Sequence, residues 1–138
     1  MQPDLTFDAA LRIVHEGLAQ ARGRGLPGVA VAVVDRGAHL VAFARMDGTF
    51  LGAIDLAIGK AATAARFRTD TATLGTMSGV GGPLWGIERS NGGLVTFGGG
   101  LPLFDASGAC LGALGVSGGT VADDESIARR CAAPFSTH

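Results

Sequence analysis

GVAVAVVDRGAHLVAFARMDG, Gly28–Gly48, decides the fold class of this 138-residue chain. Gly28–Asp35 is a β-branched run bounded by Pro27 and Gly37, the pattern of a strand. Arg36-Gly37-Ala38 then returns the chain into a second run, His39–Met46, which Asp47-Gly48 ends with a turn signal. So short a return cannot carry the crossover that parallel neighbours need, so the two runs pair antiparallel.

Upstream, Phe7–Arg22 reads as an amphipathic helix with Thr6 as N-cap and Gly23 and Gly25 as its stop. Phe7, Leu11, Val14 and Leu18 recur at helical spacing and predict its apolar stripe. Downstream, the Ala- and Leu-rich Gly52–Phe67 predicts a close-packed second helix, and 68–93 a loop with one or two short helices. Leu94–Phe97 predicts a short strand. Another starts at Leu103–Asp105 and returns through Ser107-Gly108 into Ala109–Val116. Thr120 with Asp123 forms a capping-box pattern that opens a last helix running through Cys131. Asp123, Asp124 and Glu125 in its first turn, and Arg129 and Arg130 near its end, complement its dipole. Hairpin returns without βαβ alternation place the chain in the α+β class, as an antiparallel sheet covered by helices. With no repeat and no linker, 1–138 is expected to be one domain.

Composition narrows the function. The net charge is −1 and no basic stripe is present, which argues against nucleic acid as a partner. No run approaches the ~20 apolar residues of a membrane span. No charged and apolar leader pattern opens the chain, so a cytoplasmic location is expected. Cys110 and Cys131 are too few and too far apart for a zinc knuckle or a redox pair, and are expected as reduced thiols. Only 17% of residues are charged and 47% are hydrophobic, which points to self-association.

Gly115-Val116-Ser117-Gly118-Gly119 matches the G-x-S-x-G nucleophile elbow, with Asp123, Asp124 and His138 downstream. The hydrolase fold needs a long parallel sheet that this chain lacks, so a tight turn into a helix is the better reading. Gly98, Gly99, Gly100, Gly115, Gly118 and Gly119 cluster at strand ends, where glycine lets a ligand approach the backbone or simply makes a sharp turn. Free amides before the last helix suit a carboxylate. Among the histidines, His15 lies roughly 70° from the centre of the predicted stripe, at the flank of core and solvent. An imidazole there suits haem iron or general acid–base work, or is an ordinary surface residue. His39 and His138 are weaker candidates, and no cluster has zinc-ligand spacing. Arg45 and Asp47 end a strand, and Lys60 sits within an apolar helix, IGKAATAARF. Such cations hold carboxylates or snorkel to solvent.

VVDRGAHLVAFARMDG (Val33–Gly48), KAATAARF (Lys60–Phe67) and FGGGLPLFDASGACLGALGVSGG (Phe97–Gly119) together resemble the GlcG/HbpS family. Leu84–Phe135 is most similar to the C-terminal domain of the PduO cobalamin adenosyltransferases. The resemblance implies a profilin-like α/β/α fold with a five-stranded antiparallel sheet, and homo-oligomers, often tetramers or octamers. Several members bind haem, and a first-helix histidine is the axial ligand in PduO-like domains, so the resemblance implies that role for His15. The adenosyltransferase domain is absent, so that activity is not implied.

The leading expectation is a haem-binding or haem-sensing module with His15 on the iron. Gly98, Gly99, Gly100, Gly118 and Gly119 would line the pocket with Phe97 and Met46, and Arg45 or Lys60 would meet the propionates. A rival is a cofactor-independent isomerase, lyase or cyclase acting on a carboxylated metabolite. There His15 or Asp47 would move the proton, and Arg45 with the glycine amides would hold the anion. A third reading is a structural oligomerisation domain without a ligand.

Overall fold

The structure, a computed structural model, describes residues 5–136. The elements run α1 (Phe7–Gly23), β1 (Ala30–Asp35), β2 (Leu40–Arg45), α2 (Gly52–Phe67), α3 (Thr71–Ser78), a 3₁₀ turn (Ile87–Arg89), β3 (Gly100–Phe104), β4 (Cys110–Ser117) and α4 (Val121–Ala132). The Val31–Ala44 pairing of β1 with β2 is antiparallel, as the short return requires. β1 also pairs antiparallel with β4, and β4 with β3, in the order β2-β1-β4-β3.

Alternation along these strands sends large and small residues to opposite faces. Val29, Val31, Val33, Leu101, Leu103, Leu114 and Val116 form one core with Ile13, Val14, Ile127 and Cys131 of α1 and α4. Ala30, Ala32 and Ala113 face the alanines of α2, Ala53, Ala57, Ala61 and Ala64. The small face lets α2 lie close on the sheet: a methyl on Gly115 would collide with the Ala57 carbonyl.

Three expectations need correction. The described residues hold a four-stranded sheet, not five strands. Leu94–Phe97 joins no ladder, because amides at its start find partners elsewhere. Leu94 N–H donates to the Glu88 carbonyl at 2.9 Å. Val95 N–H donates to Thr63 Oγ1 of α2 at 3.1 Å. The third correction concerns α1. It buries Ala10, Ile13, Val14, Gly17 and Ala21. Phe7 is 58% and Leu11 37% exposed. The valines of β1 already fill the space beneath the helix, and a methyl on Gly17 would press on Val31. The helix therefore keeps Val14 and Leu18 of the expected stripe against the core, adds Ile13 and its small residues, and turns Phe7 and Leu11 out.

Gly115→Ala is expected to lower stability by about 1–3 kcal/mol, as overpacking does. Gly23→Ala, where an added methyl meets nothing within 4 Å, should be neutral or stabilising. Urea unfolding midpoints check both; equal midpoints would refute the close-packing account.

Candidate functional site

A lysine in the middle of an alanine-rich helix has no solvent to reach if that helix is buried. Lys60 is 0% exposed. Its Nζ donates to the Val116 carbonyl at 2.8 Å and to Asp124 Oδ2 at 3.2 Å. The Phe97 ring covers it, with Nζ 5.0 Å from the centroid. Asp124, in the first turn of α4, is 3% exposed, and its Oδ1 accepts from Gly119 N–H at 2.9 Å. Lys60 thus passes the end of the sheet from the α2 layer to the α4 layer. Burial pushes the Lys60 ammonium below its ordinary range while Asp124 pulls it back. Burial pushes the Asp124 carboxyl up, against the attraction of Lys60 and the Gly119 amide.

The glycines make room for this lysine. Gly99 takes φ +129, and a methyl there would lie 2.7 Å from Lys60 Nζ. A methyl on Gly100 would come 2.5 Å from the Lys60 carbonyl. Gly100 N–H donates to Thr71 Oγ1 at 2.9 Å. The structure therefore gathers Lys60, Phe97, Gly98, Gly99, Gly100 and Gly119 around one buried ion pair. Gly118 lies beside them, against the Gly28 carbonyl. The Lys60 ammonium is committed to this pair and does not reach an open pocket.

Met46 and Asp47 adjoin that end of the sheet. Met46 N–H donates to the Val29 carbonyl at 3.0 Å, and the Asp47 carbonyl packs on Gly28. Met46 packs against the core shared with α1 and α4. The Arg45 and Asp47 side chains are exposed.

His15 stands apart from this cluster. It is exposed on the outer side of α1, roughly 140° around the helix from the centre of the buried face. It lines an open groove of about 800 Å³ with Asp8, Leu11, Arg12, Glu16, Ala19 and Arg22. Among the described residues its ring has no hydrogen-bond or ion-pair partner. The histidine and the glycine cluster do not share a cavity wall.

The other motifs resolve simply. Ser117 is buried at the end of β4, and His138 lies outside the described residues. His39 Nδ1 lies 3.2 Å from Asp35 Oδ1 at the hairpin turn. Cys110 is half-buried and Cys131 buried, both as free thiols. Among the described residues no three His, Cys, Asp or Glu side chains cluster as a metal site, and no helix is long and apolar enough to cross a membrane. Sequence reading offers Asp124 as a helix-dipole residue and as an acid downstream of the G-x-S-x-G match, and misses its pairing with Lys60. The available signal was Lys60 itself, which has no acid three or four residues away and must find one elsewhere.

Comparison with known proteins places the chain. The family described as haem degrading protein HbpS-like matches residues 5–133. A 15.0 kDa protein of the dhaT-dhaS intergenic region of Citrobacter freundii is 35% identical over 96% of this chain and 92% of its own length. The corrinoid adenosyltransferase PduO of Citrobacter freundii is 34% identical over 96% of this chain, which spans only 39% of PduO. A crystal structure of a PduOC:haem complex superposes with TM-score 0.92 at 32% identity, covering 99% of both chains.

Two outcomes follow from the geometry. Lys60→Met strands a buried carboxylate and should cost about 3–5 kcal/mol. Adding Asp124→Asn removes that charge yet keeps an acceptor for Gly119, so the double variant should be the more stable of the two in urea; a less stable double variant contradicts the pairing. Burial, helped by Glu16, pushes the Cys131 thiol up to about 12. Iodoacetamide should therefore label Cys110 first in the folded protein and both thiols in urea, as mass spectrometry reads.

Proposed function

The chain belongs to the HbpS-like family, and we propose on that premise that it binds haem with His15 of α1 as the axial ligand. One observation carries this reading: a histidine without a competing partner among the described residues, exposed in a groove beside an exposed leucine and between two arginines. The donor set fits the group. His15 offers an imidazole nitrogen, Leu11 an apolar contact for the macrocycle, and Arg12 and Arg22 guanidinium groups for the propionates. The haem complex of a 32%-identical protein of the same fold supports the same ligand class. Haem, when bound, supplies a redox-active iron.

Pockets bury about 70–90% of a small ligand, and an open groove on one helix covers a single side. We therefore place a second copy of the chain over this face, with Phe7 and Leu11 at the contact. A homo-oligomer would complete the site and cover apolar surface that α1 leaves exposed. The enzyme reading that pairs His15 with Arg45 lacks support, because Arg45 is not among the residues that line the His15 groove.

A hemin titration tests the proposal. Wild-type protein should show a saturable Soret shift, and His15→Ala should weaken binding about tenfold or more without unfolding. No shift in the wild type, or an unchanged shift in His15→Ala, would overturn it.

A further inference from the structure

A second cavity lies between α1 and the end of α4, on the other flank of α1 from His15. Its volume is about 460 Å³. Buried Ile13 and Cys131 line it from the core, and Pro134 and Phe135 line it where the chain leaves α4. Arg12, Glu16 and Arg130 are its exposed charged residues. We propose that this cavity binds a small carboxylic acid with an apolar body, whose carboxylate meets Arg12 and Arg130.

The site is built before any ligand arrives. Phe135 N–H donates to the Ala132 carbonyl at 2.9 Å, and Ser136 N–H donates to the Phe104 carbonyl at 3.1 Å. These two bonds turn the chain after α4 and tie it to β3, which fixes the wall at Pro134 and Phe135. Phe135 packs against the core shared by α1 and α4. The volume falls within the roughly 300–1,000 Å³ of small-ligand pockets, and an apolar lining with a few polar groups is their usual chemistry.

Charge decides the ligand class. Neighbouring arginines are engaged within the protein. Arg129 pairs with Asp70 at 3.2 Å and with Glu125 at 2.9 Å, and Arg24 pairs with Asp123 at 3.8 Å. Arg12 and Arg130 have no ion pair or hydrogen bond among the described residues. Arg130 complements the α4 dipole, but Arg12 lies more than a turn inside α1 and gains nothing from either helix end. Glu16, the single acid among the described lining residues, accepts from Gln20 Nε2 at 2.9 Å, and the lining stays net positive. Two guanidinium groups on one cavity repel, and a carboxylate shared between them removes that repulsion. A bare anion leaves the apolar lining uncovered, and a hydrocarbon leaves the arginines unpaired, so the fitting ligand carries both parts. Haem binding is not required for this site, since only Arg12 and Glu16 border both cavities.

Calorimetric titration of the haem-free protein with hexanoate, and separately with acetate and 1-hexanol, tests this. Hexanoate should bind saturably and about tenfold or more tighter than either, because acetate lacks the apolar body and hexanol the charge. Arg130→Ala should weaken hexanoate about fivefold or more with little change in melting temperature, since its guanidinium has no internal partner to lose. Glu16→Gln should tighten hexanoate by removing the opposing charge. His15→Ala and Arg22→Ala, which alter the other groove alone, should bind hexanoate as the wild type does. The proposal fails if hexanoate does not saturate, if acetate or hexanol binds as tightly, or if Arg130→Ala binds undiminished. Loss of hexanoate binding in His15→Ala would also overturn it, by placing the acid in the haem groove.

Discussion

The ion pair between Lys60 and Asp124 constrains more of this chain than any other contact. An ammonium with no exposed surface must be partnered, and its partner lies on a helix in the opposite layer, 64 residues away. To reach it, the lysine passes between the Val116 carbonyl and the backbone at Gly99. That passage asks for glycine at 99 and 100, for a short side chain facing α2 from β4, and for Phe97 over the charge. Desolvation opposes such a pair, so its worth lies in joining the two helical layers in one register more than in raw stability.

This requirement changes what the glycine-rich half means. Glycines at strand ends are compatible with a ligand close to the backbone, and equally with a side chain of the protein itself occupying that space. Here the occupant is Lys60. A binding surface must then be sought where side chains are left without internal partners, on the outer face of α1. His15 stands there with exposed apolar neighbours. A core tied together by one internal pair leaves that outer helix face for the contacts proposed above.

Legibility followed the range of the deciding interaction. The β1–β2 hairpin was readable because a short return admits one pairing, and Gly52–Phe67 and the Thr120 cap because their signals are local. Leu94–Phe97 has the composition of a strand, yet Thr63 and Glu88 take its amides, and neither is foreseeable from neighbouring residues. The inward face of α1 depended on how much volume the β1 valines already occupied. Val14 and Leu18 of the expected stripe kept their place, while Phe7 and Leu11 gave way to Ile13 and to smaller residues that fit. His15 could be singled out as the only histidine of the first helix, but its distance from the glycines is a tertiary fact.

The central claim is that haem sits on the outer face of α1 and the glycine cluster is interior wall. Amide NMR of the protein loaded with paramagnetic ferric haem tests it most directly. The account predicts broadened signals from Leu11, Arg12, Ala19 and Arg22 around His15, with Gly98–Gly100 and Gly118–Gly119 unaffected. Broadening confined to those glycines, with α1 unperturbed, would contradict it.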